Sequence, residues 1–577
     1  MAIIPFEILS KSSINRTTNY PRVKLAVLGE SSTQFLVDAI TGYGNFNNVL
    51  FDIIEVDFDQ IELQVINKNS KIYLFNPDYI YINFSIFKLT KLYQKFDSAN
   101  RHKFSDIILS NIENIISYIF SSSKARLIIS NYPEFQDSIN GNFFSKIEDS
   151  FLFQQRKINY KLMKKAQEIK NLFIVDINSI QSNVGRENFI DSKLYAISSI
   201  EYNLESISAI AKHLTDIIFS MNGIFAKCVI LDLDNTIWGG IIGDDGLSGI
   251  KLGHDGIGKV FREFQRWIMQ LKDRGIILAV CSKNQESTAK KPFERHPDMI
   301  LKLEDISCFV ANWNNKVDNI NFIKNVLNIS FNSMVFIDDN PFERNMVKSG
   351  IPELIVPDMP EDSSEYINYL SKNNFFETST YSNKSFDRTI HYQLESKRIL
   401  NQKKYGNEEE FLKSLGMCVK IEPFNQFNSS RISELSQRSN QFNLRTKRYT
   451  FSDIHVIIKS EKKVGFTLSL EDIFGKYGII SVVILEPFKD YIFIDTWIMS
   501  CRVLKRGVEK IAMNYIYEIA KSYNLNTIKG EYIMTPKNNL VKNHYKDLNF
   551  KKSDQNIWSL EISSFKYLEN EINIKME

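Results

Sequence analysis

The chain has 577 residues, too many for a single hydrophobic core, and this length indicates roughly three to four domains. Hydrophobic residues make up 43% and charged residues 24%, ordinary values for a globular protein. The net charge of +3 is too small to indicate a nucleic-acid partner. No apolar run is long enough to span a bilayer, so we expect no membrane insertion.

The cysteines argue against a disulfide framework, because five scattered residues with no CxxC pair fit a reducing compartment. The N-terminus lacks the basic and apolar regions of a signal peptide. We therefore expect a cytoplasmic protein. The cysteines are Cys228, Cys281, Cys308, Cys418 and Cys501.

Residues 1–222 are predicted to form a first domain of α/β type. Short apolar runs alternate with helical patterns such as Ser105–Phe120, which is typical of a doubly wound parallel sheet. The predicted strands are Val23–Gly29, Asp78–Ser85, Ala125–Asn131 and Asn171–Ile177.

Gly29-Glu30-Ser31 follows the first predicted strand and is similar to the opening block of SGNH hydrolases. That resemblance implies an SGNH-like α/β sandwich with Ser31 at the nucleophile position. Glu30 replaces the expected aspartate, and the stretch after Asp191 lacks the histidine that would activate the serine. We expect a scaffold without hydrolase activity that docks a partner or covers a neighbouring site.

Residues 223–375 are predicted to form a second α/β domain that carries the main chemistry. Asp232 and Asp234 follow an apolar strand and are separated by one residue. The first carboxylate can attack phosphorus and the second can act as acid and base. Because two carboxylates repel a phosphate, the site requires a hard cation such as Mg²⁺. The alternative is that this motif is only a turn or a helix cap.

Other motifs complete the arrangement in the expected order, two of them at the ends of Gly275–Ser282 and Ser333–Asp339. Together they resemble the haloacid dehalogenase (HAD) superfamily. The resemblance implies that Thr236, Ser282 and Lys316 bind phosphate, Lys283 being the alternative lysine. It also implies that Asp232, the Asp234 backbone carbonyl, Asp338 and Asp339 bind the metal.

The gaps between these motifs are too short for a cap domain. Between the first strand and the helix Val260–Gly275 lies the glycine-rich stretch Trp238–Gly253, which we interpret as a hairpin flap. A capless, open site suits a bulky or protein-tethered substrate.

Residues 376–416 are predicted to be a helical linker, with a charged helix near Ser385–Lys404, and residues 417–577 an α+β domain. LDLDNTIWGGIIGDDG, CSKN, FIDDNPFERN, SNQFNLRTKRY, SCRVLKRGVE and TPKN resemble the FkbH-like family. That resemblance implies a capless HAD domain joined to a GNAT-like acyltransferase domain. It implies a phosphorylated small-molecule donor of phosphoglycerate type and transfer of a glyceryl group to an acyl carrier protein, as in polyketide pathways.

In the GNAT-like domain, Arg502, Arg506 and Gly507 lie between a strand and a helix, where GNAT folds cradle the phosphates of a pantetheine group. Lys505 replaces a glycine of that turn, so two ligands stay as alternatives: coenzyme A and the phosphopantetheine of a carrier protein. Asn443 is assigned to the acyl or carrier cleft, with a turn-rich connector as the alternative.

A thioester relay requires a thiolate. Cys501, near a helix N-terminus, is the first candidate and Cys281 the second, whereas Cys228 is expected to be structural. Two other functions stay open. One is a phosphatase coupled to an ordinary acyltransferase in surface-glycan or sugar biosynthesis; the other is a carrier-protein docking module with a vestigial site.

Overall fold

The computed structural model describes residues 2–12, 20–135, 141–378, 394, 398, 405, 407–439, 442–449, 451–460, 462–500, 503–504, 506–535 and 538–576. The chain divides into two compact units, Met1–Phe386 and Asp387–Glu577. Both mix helices with sheets, which confirms the predicted multidomain α/β class. Within the described residues, no helix combines the length and apolar character needed to cross a membrane.

The first sheet of the first unit is parallel, with the strand order β2-β1-β3-β4-β5. Alternate residues of β1 face different cores: Ala26 and Leu28 pack with one set of helices, Leu25 and Val27 with another. Helices therefore cover both faces, as expected for a doubly wound sheet. The strands are β1 (Arg22–Gly29), β2 (Leu50–Glu55), β3 (Tyr79–Asn83), β4 (Arg126–Ser130) and β5 (Leu172–Val175).

Helices α1 to α10 surround this sheet. They are α1 (Phe6–Lys11), α2 (Gln34–Phe46), α3 (Ile61–Ile66), α4 (Lys71–Phe75), α5 (Ile86–Lys95), α6 (Phe104–Ser122), α7 (Phe151–Glu168), α8 (Ile177–Val184), α9 (Ser192–Ser198) and α10 (Leu204–Met221).

The second sheet of this unit is also parallel, with the order β8-β7-β6-β9. The central strands are completely buried, which explains their unbroken apolar sequences. The strands are β6 (Cys228–Leu231), β7 (Ile277–Ser282), β8 (Ile306–Ala311) and β9 (Met334–Ile337). The helices are α11 (Ile242–Gly249), α12 (Gly256–Asp273), α13 (Glu286–Arg295), α14 (Lys316–Leu327), α15 (Pro341–Gly350) and α16 (Tyr366–Lys372).

The stretch interpreted as a hairpin flap differs from that prediction. A backbone bridge between Gly239 and Lys251 closes its base as a hairpin would, but α11 crosses its tip. Gly246, with a φ of 67°, interrupts α11 in a conformation that favours glycine. The glycine-rich stretch therefore contains a short, kinked helix that its composition did not predict.

The second unit contains a mixed sheet with the order β15-β16-β14-β13-β12-β11-β10-β17. Gly507, at a φ of 85°, precedes the long helix α20 (Val508–Ser522) in the left-handed conformation that glycine favours. The strands are β10 (Cys418–Pro423), β11 (Val464–Asp472), β12 (Gly475–Pro487), β13 (Tyr491–Met499), β14 (Thr527–Glu531), β15 (Lys551–Lys552), β16 (Ile557–Glu561) and β17 (Asn573–Met576). The helices are α17 (Glu408–Ser414), α18 (Ser429–Arg438), α19 (Phe451–Ile458), α20 (Val508–Ser522) and α21 (His544–Asp547). The predicted linker helix near Ser385–Lys404 falls almost wholly outside the described residues.

Candidate active site

The second sheet brings acidic residues together at the carboxyl ends of its strands. Asp232 follows β6, and its backbone N–H donates to the Ile337 carbonyl at the end of β9 (2.9 Å). Asp338 and Asp339 follow β9 directly. Because β6 and β9 are neighbours in register, oxygens of these three carboxylates lie within 4.8 Å of one another.

Lys316 neutralises part of this charge. At the start of α14, its Nζ donates to Asp232 Oδ1 (2.8 Å) and to Asp338 Oδ2 (2.6 Å). All three side chains are almost fully buried. Three carboxylates facing one ammonium leave an excess of negative charge, which a bound cation would neutralise.

The pKa values reflect this crowding. Burial raises the pKa of Asp232; the charge of Lys316 opposes this shift and that of Asp338 adds to it. Burial by itself lowers the pKa of Lys316, but the charges of Asp232 and Asp338 outweigh it, so the net shift is upward. The lysine is therefore held as a cation between two acids.

The donor set fits a hard divalent cation. Carboxylate oxygens in a compact cluster are ligands that Mg²⁺ accepts, and no sulfur or imidazole belongs to this group. Thr236 fixes one member, since its Oγ1 donates to Asp339 Oδ1 (3.3 Å) and accepts from the Asp339 N–H (3.2 Å). The Arg344 side chain holds the backbone of the two neighbouring aspartates by donating to the carbonyls of Asp338 and Asp339 (2.8 and 2.6 Å).

The carboxylate of Asp234 has different partners. Its Oδ1 accepts from the Trp238 indole N–H and from the backbone N–H of Ile242, both at 3.0 Å. Its Oδ2 accepts from Asn284 Nδ2 at 2.8 Å. The same amide nitrogen donates to Ser282 Oγ at 3.2 Å. Asp234 thus links the flap to the end of β7, where Ser282 lies.

The sequence patterns do not assign a role to Asn284, Trp238 or Arg344. All three lie inside the quoted motifs CSKN, LDLDNTIWGGIIGDDG and FIDDNPFERN, but the motifs alone do not show which partners these side chains take. Lys283, the alternative lysine, instead pairs with Glu343 at 2.5 Å. The structure therefore gives the carboxylate-bridging position to Lys316.

The two candidate relay thiols differ in what the structure says of them. Cys281 is fully buried, and burial raises its pKa, a shift that the charge of Lys316 only partly opposes. This environment favours an inert thiol over a thiolate. Cys501 lies outside the described residues, as do Arg502 and Lys505.

The other predicted acyl-site residues take local partners in the second unit. Arg506 donates to the Tyr477 hydroxyl and stacks over that ring. Asn443 is 1% exposed and its Oδ1 accepts from the Thr446 N–H (2.8 Å), so its side chain holds a turn. A cavity of about 420 Å³ lies beside this turn. Its lining residues are Lys447, Arg448, Tyr449, Asp453, Val456, Ile457 and Lys463.

At the carboxyl edge of the first sheet, Ser31 is 2% exposed. Among the described residues, no hydrogen bond joins its hydroxyl to a histidine. His213 lies in α10, where burial lowers its pKa to about 4.

Residues 24–219 match the family described as FkbH, N-terminal domain. A solved structure, the N-terminal part of the protein BF1531 from Bacteroides fragilis, contains a phosphatase domain complexed with Mg. It is 44% identical, covers 66% of this chain and is itself covered in full, with a TM-score of 0.63. No curated protein matches the chain.

Acetyltransferase structures match the chain far less well. The ribosomal-protein-S18-alanine N-acetyltransferase from Escherichia coli is 12% identical and has a TM-score of 0.20, covering 26% of this chain and 96% of its own. The GNAT domain of S. lividans PAT is 15% identical at a TM-score of 0.20, with coverages of 24% and 89%. From the first comparison and the acidic site, the chain belongs to the FkbH-like family of HAD phosphatases.

Proposed function

We propose that the chain is a Mg²⁺-dependent enzyme that dephosphorylates an activated phosphoglycerate-like donor and loads the glyceryl group on an acyl carrier protein. The observation that carries the proposal is the Lys316 bridge between two buried carboxylates, with a third beside them. This arrangement combines a nucleophile, a fixed cation and metal ligands in one place.

Asp232, the backbone carbonyl of Asp234, Asp338 and Asp339 would hold the metal. When bound, Mg²⁺ would neutralise the phosphoryl oxygens and the crowded carboxylates. The relative from Bacteroides fragilis, with its phosphatase domain complexed with Mg, supports this assignment.

The protein's own residues supply the remaining steps. One Asp232 oxygen attacks phosphorus and forms an aspartyl phosphate, while the bond from phosphorus to the leaving oxygen breaks. Asp234 donates a proton to that oxygen and then accepts one from the attacking water. Water attack releases phosphate and restores Asp232. Ser282 and Lys316 bind the phosphoryl oxygens, and Thr236 supports the site through Asp339.

The open site supports a tethered substrate. Between β6 and β7 the chain forms the flap and α12, and between β7 and β8 it forms α13 and a short turn of 3₁₀ helix. Neither insertion is a domain, so a bulky donor or a carrier-bound acyl group can approach. The Cys501 thiol would attack the acyl phosphate carbon and expel phosphate, and the thiol of a carrier's phosphopantetheine would then attack that thioester and release Cys501. The Asp232 site would hydrolyse the second phosphate ester.

In this scheme two groups of residues in the second unit are assigned to the acyl site. Arg506 and Gly507 are assigned to binding a phosphopantetheine or coenzyme A group. Arg502, which lies outside the described residues, is assigned to the same group. The cavity lined by Lys447 and Lys463 is a separate recess with basic side chains. Cys501 remains the proposed relay thiol, because Cys281 is buried beside the phosphatase site.

Intact-mass spectrometry tests the whole scheme with purified protein, Mg²⁺, enzymatically supplied 1,3-bisphosphoglycerate and a phosphopantetheinylated carrier protein. We expect a glyceryl adduct on the carrier that Asp232→Asn abolishes. An enzyme-bound adduct lost in Cys501→Ala would support the relay. Phosphate release without an adduct on either protein would contradict the transfer step and leave the phosphatase standing.

A further inference from the structure

The short segment after β7 contains a side chain that contacts both halves of the phosphatase chemistry. Asn284 lies two residues beyond Ser282, and its side chain is 3% exposed. Its Nδ2 donates to Ser282 Oγ and to Asp234 Oδ2. A primary amide has two N–H groups, so one nitrogen can serve both acceptors at once.

The amide orientation follows from the partners. A carboxylate only accepts hydrogen bonds, so an amide oxygen placed at Asp234 Oδ2 would face a like partial charge. Because the Ser282 oxygen accepts from Asn284, the Ser282 hydroxyl proton is free to point towards a phosphoryl oxygen. Asn284 thereby sets the direction in which Ser282 donates.

The same bond completes a three-point hold on Asp234. The flap supplies two donors to Oδ1, the Trp238 indole and the Ile242 backbone, and Trp238 is itself completely buried. Further bonds tie the flap to the motif, since the Gly240 N–H donates to Asn235 Oδ1 (2.8 Å). Among the described residues Asn284 is the donor to Oδ2, which keeps one lone pair for proton transfer.

We propose that Asn284 is a positioning residue that holds the Asp234 carboxylate in register with the Ser282 hydroxyl, so that the proton reaches the leaving oxygen while the phosphoryl group is bound. Trp238 is the second positioning residue, acting on the other carboxylate oxygen. This inference rests on the proposed function, in which Asp234 moves the proton.

The test separates proton delivery from phosphate binding by the leaving group. The full chain with Mg²⁺ is assayed on p-nitrophenyl phosphate, whose leaving group is a weak base, and on phenyl phosphate, whose leaving group is more basic and depends more on a proton. For Asn284→Ala we expect kcat to fall about 100-fold on phenyl phosphate, the size of a lost general-acid contribution, and far less on p-nitrophenyl phosphate. Any rise in KM should be the same on both substrates, because both present the same phosphoryl group to Ser282.

Two further variants keep the result interpretable. Trp238→Phe retains a buried ring and removes only the indole donor, so it should show the same leaving-group selectivity with a loss of about tenfold. Asn319→Ala is the matched control, because Asn319 is a buried asparagine (4% exposed) at the same sheet edge and bonds to Asn312. It should leave both rates unchanged. Calorimetric Mg²⁺ binding should be the same in all variants.

An equal loss on both substrates in Asn284→Ala, or a loss confined to KM, would overturn the assignment and leave Asn284 a packing or phosphate-binding residue. Unchanged rates would overturn it too. A wild-type enzyme no faster than Asp232→Asn on either substrate would overturn the proposed function and this inference together. These two failures are therefore distinguishable in one set of assays.

Discussion

Both parallel sheets of the first unit carry polar side chains at the carboxyl ends of their strands, but they use them differently. In the first sheet the chain satisfies its own donors: the Ser85 N–H donates to Glu30 Oε2 (2.9 Å) and the Ile86 N–H to Glu201 Oε1 (3.2 Å). The Phe84 N–H donates to Ser130 Oγ (2.8 Å). The N-terminus of α5, a natural anion site, is thus occupied by two glutamates.

In the second sheet the chain accumulates charge that it does not neutralise. Three carboxylates meet one ammonium, and one oxygen of each carboxylate lies within 4.8 Å of the others. The glutamates of the first cluster accept hydrogen bonds from the chain's own backbone, whereas the second cluster needs a cation from outside to balance its charge. We therefore interpret the first cluster as structural and the second as the site of chemistry. Four substitutions test this difference.

Replacing Asp232, the proposed nucleophile, should have the largest effect. Asp232→Asn keeps the shape of the side chain but removes the attacking oxyanion, so phosphate release with Mg²⁺ should fall about 10⁴-fold or more. Released phosphate is measured by a coupled assay. Asp273→Asn, at the exposed end of α12, is the control and should match the wild type. Comparable activity in Asp232→Asn would place the chemistry elsewhere.

Removing the bridging cation should destabilise the second sheet. Lys316→Met leaves Asp232 and Asp338 buried without a cation, which costs about 3–5 kcal/mol when the partner of a buried pair is lost. Hydrogen exchange of the β6 and β9 amides in EDTA measures this loss. Adding Mg²⁺ should recover part of it.

A matched variant for this experiment is Lys283→Met, which breaks the more exposed pair with Glu343. Its effect should be smaller, and Mg²⁺ should not change it. Equal protection of the β6 amides in Lys316→Met and the wild type would show that the carboxylates do not depend on Lys316.

The stability of the first sheet should depend on pH through a residue of its own, Glu201. Burial raises the pKa of Glu201 from 4.5 to about 7. The pKa of Glu201 is higher in the folded chain than in the unfolded chain, so the protonated side chain contributes fully to the free energy of unfolding below pH 4.5. This contribution is lost as the pH rises to 7. The loss is about 3 kcal/mol. Glu201→Gln should remove it, and the exposed Glu205→Gln should not.

Hydrogen exchange of the β1 and β3 amides at pH 5 and pH 8 measures this effect in the first sheet alone. The wild type should be less protected at pH 8, and Glu201→Gln should show a smaller difference between the two pH values; the part that remains is assigned to Glu30, whose pKa is also raised by burial. A pH-independent wild type would mean that Glu201 ionises freely and that its burial has little cost.

The sequence predicted strands where apolar runs were unbroken and missed them where polar residues intervened. β4 and β7 were found, and β1 was found although it contains Lys24, but β2 contains Asp52 and β8 contains Ser307, and both were missed. The acidic motif could be read because its residues follow strands directly. Asn284 could not be assigned, since its two acceptors are brought together only when β6 and β7 pair.

The smallest effect is expected at the serine that the sequence placed in a nucleophile position. Ser31→Ala should change phosphate release by less than about twofold and the stability of the first sheet by about 1 kcal/mol or less. Its hydroxyl is buried, and the neighbouring donors at the start of α5 already bind Glu30 and Glu201. The purified chain is also assayed for hydrolysis of p-nitrophenyl acetate, with the matched Ser32→Ala as control. Ester hydrolysis that disappears in Ser31→Ala but not in Ser32→Ala would show that the first sheet keeps an active serine. The polar clusters of the two sheets would then differ in their substrates, and the first would not be inert.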